Sequence, residues 1–418
     1  MRLGVELNEY LMDLIEYGLG TYDVSFGEKP KEDRFLLWGK YRKDQVQQLL
    51  GNNPGDIMLG TKIYDSNVYI YVTIIKSSIK DDELSFDEII NEMLYKAWWS
   101  VTTYHLQMGP TIMGKKENYL ENAIIKIAEL NQIPNNADRS LIMECLHLHD
   151  NTIVDNKKQL AKHVPYRLLA PFLGLSGNDP LWERRSSLID YIEKRNEEIK
   201  LPYTIINKRG LNKLIHINPE WREFILSNFE IINGWIQYKK VQFLQSRNPG
   251  VPGIVYKLDR DSGVLRRLNK ARELWKSVKE ISPKPIVDIY SGSTIEERFE
   301  LDHFIPWTYI ANDELWNLTP TTKRINSSKN NKLPSWEEFF VPLCNSQYYL
   351  CQMIYSNDEL YKKFCECRRD NLNALWATES LYLKGIRESE FTNVLEHNML
   401  PIYEAAKLQG FSEWMPVF

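Results

Sequence analysis

The sequence predicts an α+β fold, predominantly α, and three observations carry that prediction. From about residue 86 onward, apolar residues recur at three- and four-residue intervals, the period of a helix that buries one face. β-rich runs are short and few, the clearest being VYIYVTII near residues 68–75. Prolines at 165, 171, 180 and 202 break the helical pattern into separate segments. At 418 residues and 43% hydrophobic content, the chain can build a sizeable core spread over two to four domains.

Taken in order, residues 5–20 read as an amphipathic helix ending near Gly18 and Gly20, and Lys43 to Leu50 as a second helix stopped by Gly51. Residues 57–63 and 68–75 suit a hairpin turning at Asp65-Ser66-Asn67, so 1–80 forms a small N-terminal α+β module. A helical body follows over 81–280, with helices at 86–108, 117–131, 138–149, 156–162, 181–200, 219–246 and 264–280 and a short β or loop element within 202–217. A compact core is expected over 281–340, beginning with a hairpin of 286–290 against 298–305, and a C-terminal helical cap over 341–418.

Composition narrows the function. The formal net charge is -4, so any nucleic-acid binding must rest on a local patch. One exists: residues 235–280 hold eleven Lys and Arg, Arg266 and Arg267 among them, against four Asp and Glu, with aromatic residues interleaved. No apolar run approaches a membrane span and the first residues lack a signal-peptide core, so the expected location is cytoplasmic with no membrane partner. No phosphate-binding glycine loop is present, and ATP hydrolysis is not expected. The five cysteines form no CxxC pair, so no structural zinc is expected and buried reduced thiols are. His147 and His149 sit badly on one helix face for a metal site, and the Trp98-Trp99 pair suits a helical core better than base stacking.

The chemistry concentrates in ELDHFIPWTYIANDELWNLTPTTKRINSSKNNKLP, residues 300–334. Asp302 offers a hard oxygen ligand next to the imidazole of His303. Asn317 follows fifteen residues after Asp302, Asn326 nine later and Lys329 three beyond that, one helical turn on. Along a strand Asp302 and His303 point to opposite faces, and they converge only if the strand ends there, for which Pro306-Trp307 supplies a break.

This window resembles the HNH nuclease superfamily, the ββα-metal fold, in the variant whose third signature residue is asparagine. Strings such as DHFIPW, LWNL and NSSKNNKLP also resemble bacterial HNH proteins of restriction and anti-phage defence, and residues 1–80 faintly resemble a helicase-associated domain of unknown function. The resemblance implies an embedded ββα-metal core at 281–340 and a metal-dependent endonuclease acting on DNA, with RNA left open. His303 would be the general base, Asn317 would fix the loop that orients it, and Asp302 and Asn326 would ligate one Mg²⁺ or Mn²⁺. Lys329, Arg324, Lys323 and Lys332 would contact phosphate, together with Arg266 and Arg267 from the basic stretch. Implied partners are a second copy of the chain or a defence-complex protein such as a helicase or ATPase. The competing expectation is a non-catalytic or partner-regulated subunit that keeps the fold.

Overall fold

The computed structural model describes residues 83–416, apart from 110–117, 135–136, 163, 177–178, 207–208, 223–228, 259–265 and 296–297. The expected N-terminal module at 1–80 lies outside the described residues. The chain divides into two compact units: one comprises residues up to Arg247 without 103–106, the other residues 103–106 and 248–418.

The first unit is helical around a small sheet. Strands β1 (Glu83–Ser85), β2 (Tyr203–Ile206) and β3 (Leu214–Ile217) form an antiparallel sheet in the order β1-β3-β2. Helix α1 (Phe86–Thr102) supplies its core: Ile89, Ile90, Met93, Leu94, Ala97 and Trp98 are fully buried, at the spacing of one wide apolar face. Trp98 and Trp99 are therefore core residues. Helices α2 (Tyr119–Leu130), α3 (Arg139–Leu146) and α4 (Asn151–Ala161) start on the side-chain caps Asn118, Asp138 and Asp150, each accepting backbone N–H groups left without helical partners. Helix α4 begins earlier than the periodicity indicated, because Asp150 caps it there. Helices α5 (Arg185–Glu198) and α6 (Phe229–Arg247) also belong to this unit. His147 and His149 are exposed, and His147 donates its Nδ1–H to Met143 O within its own helix at 2.6 Å.

The second unit carries the site. Helix α7 (Asn269–Ile281) is followed by β4 (Glu300–His303), β5 (Leu318–Thr321), α8 (Lys323–Lys329) and β6 (Leu333–Pro334). The long helices α9 (Trp336–Ser356), α10 (Asp358–Asn371) and α11 (Glu388–Leu408) come next, and β7 (Glu413–Trp414) closes a parallel pair with β6. Helix α7 packs along α10, while α9 lies against α10, α11 and β5. Cys344 and Cys351 are buried on α9, where burial pushes both thiols up to about 12.

One expectation is corrected here. The strand pair of the core is not 286–290 with 298–305. Strand β4 pairs instead with β5, with Asp302 opposite Thr319 and His303 opposite Leu318, and 286–295 makes a tight turn with a single bridge between Val287 and Thr294. Asp288 makes that turn: its Oδ1 accepts from Tyr290 N at 2.8 Å and its Oδ2 from Thr321 Oγ1 at 2.6 Å. Pro320 concealed β5, although a proline is tolerated where a strand's N–H is not needed by the ladder.

A backbone crossing and a buried lysine fix the loop after β4. Gly253 has φ +64, and a Cβ there would lie 2.7 Å from the Cβ of Ala311, itself at φ 55. Gly253→Ala is expected to lower stability by about 1–2 kcal/mol from the left-handed backbone alone. The clash should add to this by moving residues 311–314, so the denaturation midpoint and activity should fall together. The fully buried Lys257 donates to Pro252 O at 2.6 Å and to Tyr309 O. Burial lowers its pKa from 10.5 to about 7. Above about pH 7 the folded state then releases a proton that the unfolded chain keeps up to its own higher pKa, so stability rises with pH. The expected slope approaches about 1.4 kcal/mol per pH unit. Denaturant titrations from pH 7 to 9 should show it in the natural chain and not in Lys257→Met.

Candidate active site

Alternation along β4 sorts the site into two sides. Glu300 and Asp302 share one face of the strand, and His303 takes the other. Helix α8 covers the first face, begun by the Thr322 cap and ended at Asn330, whose φ of 49 stops the helix. Two rungs join helix to strand. Asn326 Nδ2 donates to Glu300 Oε2 at 2.6 Å, and Lys329 Nζ donates to Asp302 Oδ1 at 3.1 Å and to His303 O at 2.7 Å. The other oxygen of Asp302 accepts from the hydroxyl of Tyr290 at 2.6 Å. Tyr290 is buried, which together with the Asp302 charge pushes its hydroxyl well above the usual phenol range and keeps it a donor.

Lys329, expected to meet phosphate, is fully buried and turned onto Asp302. The Asp302 carboxylate and the His303 backbone carbonyl draw it inward, and burial lowers its pKa. Around α8, Lys323, Arg324 and Lys332 are exposed. Nor do Asp302, His303 and Asn326 bond to one another. Asp302 is taken by Lys329 and Tyr290, Asn326 by Glu300, and His303 lies on the opposite face.

On that opposite face His303 Nε2 lies 2.8 Å from Asp313 Oδ1. Burial lowers the imidazole pKa, outweighing the upward pull of Asp313. For Asp313 the balance reverses. Burial raises its carboxyl, but hydrogen bonds from His303 and from Arg267 N, with the nearby Arg266 guanidinium, hold it below the usual range. An ionised Asp313 only accepts, so the neutral ring carries its hydrogen on Nε2 and its lone pair on Nδ1. That is the protonation state a general base needs.

The loop is held from behind. The amide of Asn317, wholly buried, bonds Ile305 N and Ile305 O, each at 2.8 Å, extending the β4–β5 pairing by one side chain. Gln347 of α9 donates to Leu315 O and Leu318 O, and Asn371 of α10 donates to Arg267 O and Asp313 O. Arg266 stacks over Trp307 at 4.6 Å and lies 3.8 Å from Asp313, while Arg267 pairs with Asp370 at 3.6 Å.

Asp313, Tyr290, Glu300 and Asp288 were not singled out from the sequence. Only Asp288 leaves a local trace there, as the first residue of an Asp-x-x-x-Gly turn.

Among the described residues no cluster of three or more His, Cys, Asp or Glu is placed to hold a metal ion. The face under α8 instead offers two carboxylates, Glu300 and Asp302, and the Asn326 amide. These are hard oxygen donors of the kind Mg²⁺ and Mn²⁺ take, so the donor chemistry fits such an ion. No helix among the described residues is long and apolar enough to cross a membrane.

No curated protein and no solved structure matches the chain. Residues 288–335 do match a family model described as HNH endonuclease, a span that opens at Asp288 and takes in β4, β5, α8 and β6. That segment, about a tenth of the chain, with its strand pair, Asp-His dipeptide and covering helix, is similar to the HNH endonuclease family.

Proposed function

We propose that this chain is a metal-dependent endonuclease that hydrolyses DNA phosphodiester bonds, leaving 5′-phosphate and 3′-hydroxyl ends, in restriction or anti-phage defence. The observation that carries the reading is the His303–Asp313 pair: a neutral imidazole with a defined tautomer, inside a segment that matches HNH endonucleases. His303 Nδ1 takes the proton of the attacking water, and Asp313 holds the ring and stabilises the imidazolium that forms. Asp302 and Asn326, with Glu300 beside them, are the residues that would hold Mg²⁺ or Mn²⁺. When bound, that ion supplies charge stabilisation at the phosphoryl and leaving oxygens. Lys323, Arg324 and Lys332 are exposed around α8 and suit phosphate contacts, and Arg266 adds a half-exposed guanidinium beside Asp313. One such site cuts one strand, so a dimer would cut both.

Supercoiled plasmid incubated with Mg²⁺ or Mn²⁺ should be nicked by the natural chain and not by His303→Ala, with end mapping giving 5′-phosphate products. Equal cleavage by both proteins would remove the mechanism.

A second reading has its own support. His303 is 5% exposed and Asp302 3%, with both Asp302 oxygens engaged. So closed a site suits an effector that acts only once a partner or substrate opens it. Cleavage that appears only after a partner protein is added would favour this form.

A further inference from the structure

We propose that the cleft beside the 312–316 loop is a nucleobase pocket, which takes one unstacked base of the strand being cut. The proposal rests on the nuclease reading above for the identity of its substrate. The cleft has a volume of about 600 Å³ and lies wholly within the second unit. That is inside the range of small-molecule sites, about 300–1,000 Å³, and leaves room for a base and its solvent.

Tyr309, Trp316 and Trp376 line the cleft, the two indoles 5.2 Å apart and tilted by 49°. Trp376 is partly exposed, so part of its ring remains accessible. Aromatic faces stack on any base because every base has a π-face.

The polar groups argue against a phosphate and for a neutral heterocycle. No Lys or Arg lines the cleft. Its carboxylate, Glu314, is already saturated: it accepts from Trp316 Nε1 at 3.2 Å, Asn373 N at 2.8 Å, Asn373 Nδ2 at 3.0 Å and Ala374 N at 3.2 Å. Glu314 thus shapes the wall and repels an anion. Asn312 differs, because its Oδ1 is buried with no hydrogen-bond partner among the described residues. A buried acceptor without a donor is costly. An N–H of a base, which all the common bases present, would satisfy it once the amide turns toward the cleft.

Position links the pocket to the chemistry. Asn312 and Glu314 flank Asp313, whose carboxylate holds His303. A base seated here would fix the strand a loop's width from the base catalyst.

The test is binding without cleavage. Fluorescence anisotropy in EDTA would compare the natural chain, Trp376→Ala and Ala405→Phe on a labelled DNA duplex and on a series with one abasic position each. Ala405 lines the cleft from α11, so phenylalanine there obstructs it without removing packing, and this variant decides the matter if Trp376→Ala fails to fold. Both variants should bind intact DNA about 5- to 150-fold more weakly. An abasic site at one position should cost the natural chain a similar factor, and the variants should lose nothing further on that duplex. Variants that bind every duplex like the natural chain overturn the proposal, as do equal losses on all duplexes or a natural chain that binds none. Plasmid nicking by the natural chain is scored separately. Nicking with an indifferent pocket defeats the pocket alone, and pocket-dependent binding without nicking defeats the nuclease reading alone.

Discussion

His303→Ala should reduce plasmid nicking by about 100- to 10,000-fold, the range for loss of a positioned general base. The size follows from how completely this imidazole is prepared. Burial keeps it neutral, and Asp313 fixes the hydrogen on Nε2, so Nδ1 is ready to accept without a prior proton loss. The variant should still fold, because Asp313 keeps the Arg267 N–H and the nearby Arg266 guanidinium when the ring is gone. It should also bind DNA in EDTA like the natural chain. Asp313→Asn should cost less than His303→Ala, since the ring stays but its tautomer is no longer dictated. In the double variant the second change should add nothing, as for residues that act as one unit. Additive losses would show that Asp313 acts through something other than His303.

Asp313 also marks what the sequence could not disclose. The spacing of Asp302, Asn317 and Asn326 is legible because it reflects a strand, a strand partner and one helix turn in a short window. The partners of those residues are not. Asp313 sits in a loop whose path is set by Asn371, Gln347 and the Gly253 crossing, all distant in the chain. Tyr290 reads as part of an apolar strand, IVDIY, until the Asp288 turn carries it beneath Asp302. Pro320 interrupts the residue pattern that marks a strand, so β5 is not legible from its own residues. The helical body was easier, since α1 buries a wide apolar face that its period announces. Strand β1 was not, because three residues pairing with a segment some 130 positions away leave no local pattern.

The buried lysine gives the other large expected effect. Lys329→Met should destabilise the protein by about 3–5 kcal/mol, the cost of leaving one member of a buried ion pair alone. Lys329 is wholly buried and Asp302 is 3% exposed, so water cannot take the ammonium's place, and only the Tyr290 hydroxyl remains on the carboxylate. His303 O loses a donor as well, which loosens the end of β4 where the base sits. Adding Asp302→Asn removes the stranded charge while keeping an acceptor for Tyr290. The double variant should therefore be more stable than Lys329→Met alone, a coupling of roughly 1–3 kcal/mol for groups in one network. Lys323→Ala supplies the contrast. That side chain is exposed, so stability should move by no more than about 0.5 kcal/mol. Its effect should fall instead on DNA affinity and reduce the salt dependence of binding by about one phosphate contact. Equal unfolding midpoints for Lys329→Met and Lys323→Ala would mean that the ammonium of Lys329 reaches solvent, and that Asp302 has no internal counter-ion.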